Sequence, residues 1–397
     1  MSRDIEAVVA GHICLDIQPD LSGSGKEPFD NTFLPGRLVA AGPVICSTGG
    51  AVSNTGLALD KLGIATRLVG KVGDDLFGQA IRQIVKARGH GLTDGMIVDS
   101  ATSTSYSIII NYPGVDRIFL HYPGANDIFD AGDVPYALLE KARIFHFGYP
   151  PIMRALYANG GIQLKEIFLR ARQTGVTTSM DMALPDPSSE AGLVDWRVIL
   201  ESTLPYVDIF LPSVEEILFM LHGDTYREMS HSASGSDLLS MVTPQMLSDL
   251  GRELIAMGVK IVGLKLGERG MYLRTVGRDG IDMIGRACPS DLEAWAGVEL
   301  WAPCFKVAVA GTTGSGDATI AGFLAGLLNN LPVEQALTMA TAVGACNVEA
   351  ADALSGICTW EETSRRVANG WERRHMELNA PGWQFDRVCS LWRGPCA

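Results

Sequence analysis

The stretch Val309-Ala-Gly-Thr-Thr-Gly-Ser-Gly-Asp-Ala-Thr-Ile-Ala-Gly-Phe-Leu-Ala-Gly-Leu-Leu328 decides how the rest of the chain is read. It is a glycine-rich turn that feeds an apolar helix predicted over Ser315–Leu328. Gly311, Gly314 and Gly316 permit backbone angles closed to other residues and let amide groups come close to a ligand. The helix would aim its first free N–H groups at the same spot, which makes an anion site. Asp317 stands in the mouth of that site. A carboxylate repels an anion, so its presence makes chemical sense if it takes a proton from a hydroxyl that attacks a phosphorus held by those amides. The plainer reading is an acidic residue placed well for the helix dipole, with Gly322 and Gly326 serving only close helix packing. The stretch lacks the Gly-Lys-Ser/Thr of a P-loop, and Thr319 replaces the third glycine of a dinucleotide fingerprint.

Composition narrows the field. The chain has 397 residues, 47% hydrophobic and 19% charged, with a net charge of −13 and no basic block. It can bury a large core, and a nucleic-acid surface is not expected. The eight cysteines form no C-x-x-C pair, so neither structural zinc nor a disulfide framework is expected. The N-terminus lacks a signal-peptide apolar region, and the longest apolar run is too short to cross a bilayer. A cytoplasmic protein with no membrane partner is the expectation.

Working outward, Ala7–Cys14 reads as a buried first strand and Gly36–Ser47 as a second extended piece. Ala51, Asn54, Ala58 and Leu62 recur at helical spacing up to Gly63. Thr66–Val69 is a strand, Gly70–Asp75 a loop and Leu76–Arg88 a helix. Thr102–Asn111 and Arg117–His121 read as a hairpin. Strands Ile144–Phe147, Val176–Met180, Val207–Leu211, Ile261–Leu266 and Met271–Thr275 then alternate with helices Gly161–Arg172, Val214–Leu221, Pro244–Met257, Ser315–Leu328 and Val333–Glu349. That alternation predicts a three-layer α/β/α domain around a mostly parallel sheet. Ala183–Val194, Gly223–Leu239 and Gly280–Pro303 read as excursions from it, the last holding Trp295 and Trp301.

Four further clusters carry chemistry. Asp16 follows the first strand, where open α/β sheets bind ligands. With Gly49, Gly50 and Asn54 it offers a carboxylate, an amide and bare backbone, as a polyol requires; a turn Asp, a glycine turn and a surface Asn are the plain alternative. Ser213 and Glu216 have capping-box spacing, or Glu216 orders magnesium-bound water. Lys265 ends a strand before a glycine turn and either reaches a phosphate or lies in solvent.

Together these stretches resemble the ribokinase-like (PfkB) carbohydrate kinases across roughly residues 6 to 358. The N-terminal signature resembles Gly49-Gly-Ala-Val-Ser-Asn-Thr-Gly-Leu-Ala-Leu-Asp-Lys-Leu-Gly63 with Val69-Gly-Lys-Val-Gly-Asp-Asp75. The C-terminal one resembles Gly311-Thr-Thr-Gly-Ser-Gly-Asp317, and Pro123-Gly-Ala-Asn126 also fits. The resemblance implies ATP-dependent phosphorylation of a sugar hydroxyl, a hydroxymethyl group by expectation. It implies Asp317 as base, the amides of Gly314, Ser315 and Gly316 as an anion hole, and Asp16, Gly49, Gly50 and Asn54 at the sugar. It further implies Ser213, Glu216, Lys265 and Gly267 at the nucleotide, Thr341 at adenine, and Mg2+ held by Glu216 through water. Residues 15–47 and 102–122 would form a small β lid that closes over the sugar and often makes a homodimer. Residues 1–14, 48–101 and 123–397 would form the core.

The sequence departs from the family in three places. Ser213 replaces the Asn of Asn-x-x-Glu, Gly311 replaces an Asp near a monovalent-cation site and leaves K+ activation in doubt, and the tail after Trp360 has no counterpart. A nucleoside kinase, with Phe33, Tyr106 and Tyr112 around a base, and a non-catalytic sugar-binding relative remain as alternatives.

Overall fold

A computed structural model describes residues 5–24, 28–115, 118–232 and 238–395. A ten-stranded sheet runs through the molecule. Its parallel half is ordered Thr66–Val69, Ala7–Gly11, Ile144–Gly148, Thr177–Met180, Ile209–Phe210 and Ile261–Lys265. Met271–Thr275, Glu299–Ala302, Leu391–Arg393 and Gln384–Asp386 extend it in antiparallel fashion. Ala7–Gly11 and Ile209–Phe210 are continuous apolar runs, as strands covered on both faces tend to be, whereas Thr177–Met180 is Thr-Thr-Ser-Met and equally buried. Alternate residues supply two cores. Val8, Ala10, Phe145, Phe147, Phe210 and Val262 join one cluster with helices Ile162–Gln173, Val214–Leu221 and Pro244–Ala256. Ala7, Val9, Ile144, Ile209 and Ile261 join the other with helices Ala51–Lys61, Ser315–Leu328 and Val333–Asn347. This is the three-layer α/β/α arrangement the sequence predicts.

A separate four-stranded sheet is built from Val44–Gly49, Cys14–Pro19, Tyr106–Ile110 and Ile118–Tyr122, in that order. It projects from the carboxyl end of the first strand of the main sheet. The single strand expected over Ala7–Cys14 is two strands in two sheets. The break falls at Gly11, whose φ of 122° only glycine adopts readily, and a methyl there would lie 2.2 Å from the Gly148 carbonyl oxygen. The extended piece expected from Gly36 is a strand only from Val44. Gly70–Asp75, expected as a loop, contains strand Lys71–Gly73, paired with Ile97–Asp99. Within it, buried Lys71 meets Asp133 at 2.8 Å. Residues 116–117, the last of the expected hairpin turn and the first of its second strand, lie outside the described residues, as does 233–237 of the second excursion.

The Gly280–Pro303 stretch is no excursion. Glu299–Ala302 is an internal strand, and Trp295 and Trp301 are fully buried. Apolar residues diluted by Gly, Pro and Asp hid a core strand. The tail after Trp360 also belongs to the domain, since its last two strands cover the edge beside Glu299–Ala302. Gly322 and Gly326 do serve packing: a methyl on either would fall within 3 Å of helix Val333–Asn347, at the Met339 carbonyl or the Ala336 Cα.

Candidate active site

The polar residues of the site come from three places: the carboxyl ends of main-sheet strands (His12, Tyr149, Asp181, Lys265), the starts of helices Ala51–Lys61, Val214–Leu221 and Ser315–Leu328, and the small sheet (Asp16, His121). Asp317 lies in the first turn of Ser315–Leu328, 2% exposed. Gly314 precedes that helix with φ 72°, which the turn requires. Gly311 and Gly316 do not take positive φ. They serve close approach instead: a methyl at Gly311 would lie 2.8 Å from the Ala351 carbonyl, and one at Gly316 would meet the Lys265 side chain at 3.5 Å. The Ser315 amide donates to the Thr312 carbonyl at 3.2 Å, inside the turn.

The two halves of the sequence meet at Asp317. Its Oδ2 accepts from Asn54 Nδ2 at 3.1 Å and from the Tyr149 hydroxyl at 2.7 Å, and its Oδ1 accepts from Thr55 Oγ1 at 3.0 Å. Asn54 and Thr55 are held on helix Ala51–Lys61, which packs along helix Ser315–Leu328. Tyr149 sits just past strand Ile144–Gly148 in a left-handed conformation with φ 67°.

On one side of Asp317 lies Lys265, whose ammonium bonds Asp181 Oδ1 at 2.5 Å. Burial acts against this ammonium, but Asp181, Glu216 and Asp317 outweigh it and hold Lys265 above its ordinary value. Ser213 and Glu216 form a full capping box, with the Ser213 amide donating to Glu216 Oε2 at 2.7 Å. Capping does not use up Glu216, which also acts electrostatically on Lys265, Asp181 and Tyr149. An adjoining cavity of about 210 Å³ is lined by Lys265, Gly267, Ser315, Gly316 and Thr341, with Phe305 among its apolar walls.

A second cavity, of about 570 Å³, lies between the small sheet and the glycine turn that precedes Asp317, lined by Asp16, Ser47, Thr48, Ile109, Gly311 and Thr312 among others. A methyl at Gly49 would lie 2.2 Å from Asp16 Oδ2, and one at Gly50 would lie 2.5 Å from both the His12 carbonyl oxygen and His12 Nδ1. The diglycine is therefore a steric requirement. Burial pushes the Asp16 carboxyl up to about 6, against the lowering effect of hydrogen bonds from Cys14 and Ser107. His12 is buried and faces His121 of the small sheet, Nε2 to Nε2 at 3.4 Å. His121 in turn meets Ser107 Oγ at 3.0 Å. Burial, then His121, drives His12 down to about 3, so it stays neutral. Asn126 clamps the backbone of Ile13 from both sides, at 3.2 and 2.9 Å. Asn54 Oδ1 and His12 Nδ1 are buried without a hydrogen-bond partner in the structure.

Sequence reasoning missed Thr55, Tyr149, Asp181, His12 and His121. Thr55 stands beside Asn54 in the N-terminal signature. Tyr149, Asp181 and His12 are each the first polar side chain after a parallel strand, so the carboxyl-end rule, applied to every strand, would have found them. His121 reaches the site only through the pairing of the small sheet. The aromatic residues proposed for a base do not gather at the cavity. Phe33 and Tyr112 pack with Phe29, while Tyr106 packs on Phe77 and Tyr122.

An α/β fold with a buried carboxylate at a helix start, behind a glycine turn that borders a polyol-sized cavity, has the parts of a phosphotransferase that uses an alcohol as acceptor. The pfkB family carbohydrate kinase profile matches residues 6–359, and the chain belongs to that family. It is 24% identical over 374 residues to fructokinase-2 of Oryza sativa subsp. japonica, covering 90% of this chain and 94% of that protein. It is 25% identical over 333 residues to fructokinase-1 of Zea mays, covering 82% and 84%. Among solved structures, the fructokinase with bound ATP from Xylella fastidiosa matches with TM-score 0.65 at 18% identity, over 91% of this chain and 98% of that one. The Arabidopsis thaliana ribokinase complexed with ribose and ATP gives the same TM-score, 0.65, at 18% identity, covering 91% and 98%. These structures establish the shared fold. No helix among the described residues is long and apolar enough to cross a membrane.

Proposed function

We propose that this carbohydrate kinase transfers the γ-phosphate of ATP to a hydroxymethyl oxygen of a sugar, with Asp317 as general base. The observation that carries the reading is the buried meeting of Asp317 with Asn54 and Thr55, next to Lys265 and the glycine turn. The sugar occupies the cavity between Asp16 and Asp317. Asp16, Asn54 Oδ1 and His12 Nδ1 accept or exchange hydrogen bonds with its hydroxyls, which accounts for the two orphaned buried atoms. The acceptor hydroxyl gives its proton to Asp317 as its oxygen forms a bond to the γ-phosphorus. The bond to the β-γ bridging oxygen breaks and ADP leaves. Lys265 and the amides of Gly314 and Gly316 face the charge on the transferring group. The purine rests in the smaller cavity beside Thr341 and Gly267.

Asp181 and Glu216 are hard oxygen donors on the phosphate side, a set that suits Mg2+ held largely through water. Among the described residues no group of three His, Cys, Asp or Glu could form a metal cage, so the ion would arrive with the nucleotide. When bound, Mg2+ supplies charge neutralisation to the phosphates. Gly311 argues against the monovalent-cation site, because a longer side chain there would run into Ala351. The four-stranded sheet acts as the lid that excludes water. Its exposed Val44 and Leu120 suit a homodimer contact.

The names of the relatives make D-fructose the first acceptor to try. Coupled ADP release with ATP, Mg2+ and a panel of D-fructose, D-ribose, sugar acids and nucleosides tests the reading. Turnover with a sugar supports it; turnover with nucleosides alone, or with none of the panel, contradicts it.

A further inference from the structure

Tyr149 has a conformation and a contact that the reaction as described leaves unused. Four non-glycine residues among those described have positive φ: two Asn, one Ser and Tyr149. Asparagine tolerates this region, whereas a bulky aromatic residue there is a strained outlier. The strain is locked in place. Gly148 before it cannot carry a methyl, which would lie 2.2 Å from Ala51 Cβ, and buried Pro150 follows. The result is to throw the phenol onto Asp317 Oδ2 at 2.7 Å.

That oxygen already accepts from Asn54, and a carboxylate oxygen has two acceptor positions. Of the two donors, Asn54 is fixed on a buried helix that packs against the catalytic helix. Tyr149 lies on a connecting segment beyond a strand end and is partly exposed. Its ring centre is 6.4 Å from that of His12, so the phenol spans the space between the sugar end and the base. A hydroxyl bonded to the base, between the two ends of the site, has the position and the chemistry of the acceptor itself. Burial, followed by Asp317 and Asp181, pushes the phenol well above its ordinary value, so it remains a donor at any working pH.

We propose that the Tyr149 hydroxyl stands in for the acceptor hydroxyl at Asp317 Oδ2, so that a sugar whose hydroxyl is to reach that oxygen must displace it. This rests on the kinase reading and makes Tyr149 a specificity-determining residue. A substrate must offer a hydroxyl that outcompetes a pre-positioned phenol. Water, which lacks the remaining contacts to Asp16 and His12, does so poorly, and ATP is spared in the absence of sugar. The binding-competent form is the fraction with Tyr149 turned away, and apparent affinity falls by that fraction.

Two variants test this. Tyr149→Phe keeps the ring and deletes the donor, and Tyr149→Gly relieves the backbone strain as well. Both should lower the KM for D-fructose on the order of tenfold, the worth of one hydrogen bond to a charged group, while kcat holds. Both should also raise ADP release from ATP and Mg2+ without sugar. A lower kcat with KM unchanged or raised would overturn the proposal and make Tyr149 an orienting partner of the base. Sugar-free ADP release equal to wild type in both variants would overturn it as well. That second readout needs no sugar, so it stays decisive if D-fructose proves not to be a substrate, an outcome that counts against the assigned acceptor alone.

Discussion

Asp16 is placed at a cost, and the cost predicts a pH signature. Its carboxyl is raised from 3.8 to about 6, chiefly because burial penalises the charged form. A difference of about two pH units corresponds to roughly 3 kcal/mol, an upper bound because the group opens onto a solvated cavity. The sign follows from proton counts. Between about pH 4 and 6 the folded chain holds a proton that the unfolded chain has released. Stability therefore falls as pH rises through that window and is flat above it. Asp16→Asn removes the penalty, so the variant should unfold at higher denaturant concentration than wild type at pH 7.5 and lose that advantage by pH 4. Sugar affinity runs the other way. The ionised carboxylate is the better acceptor for sugar hydroxyls, so the wild-type KM should climb by up to about tenfold per pH unit below 6. In Asp16→Asn it should be high and nearly pH-independent. Chemical denaturation and steady-state kinetics across pH 4 to 8 measure both. A variant less stable than wild type at every pH, or a wild-type KM flat between pH 7.5 and 5, would refute the reasoning.

Other consequences can be checked alongside. Gly49→Ala puts a methyl 2.2 Å from Asp16 Oδ2, so it should raise the sugar KM while leaving that for ATP unchanged. Arg274 pairs with buried Glu299 at 2.8 Å, and Glu299 Oε1 also accepts from Tyr272 at 2.7 Å. Arg274→Ala should cost about 3–5 kcal/mol in denaturant unfolding, because it strands a buried charge. Replacing potassium with a bulky organic cation should leave turnover unchanged, since Gly311 has no room for a carboxylate.

Much of the fold was legible because strands such as Ala7–Gly11 and Ile261–Lys265 are largely apolar runs and the helices between them carry their own stop signals. Met271–Thr275, Val214–Leu221 and Ser315–Leu328 fall where the pattern puts them. What stayed hidden depends on tertiary partners. Glu299–Ala302 is short, contains a buried acid and follows a Gly-rich stretch, so only its neighbours make it a strand. The chain crossing at Gly11 looks like one strand because the apolar pattern continues across it. Asp317, Asn54, Lys265 and Asp16 were visible because their signatures combine turns with reactive side chains. Tyr149 and His121 were not, because a tyrosine beside a proline and a histidine in an alternating strand each have an ordinary local explanation.

The central claim is that Asp317 deprotonates the acceptor. Asp317→Asn keeps the size of the side chain and removes the base, and a positioned base is worth about 10²–10⁴-fold. Single-turnover phosphorylation of the acceptor sugar, with ATP affinity measured in parallel, is the most direct test. The account predicts ATP binding close to wild type and phosphoryl transfer slowed at least about 10²-fold. Transfer at the wild-type rate in Asp317→Asn would contradict it.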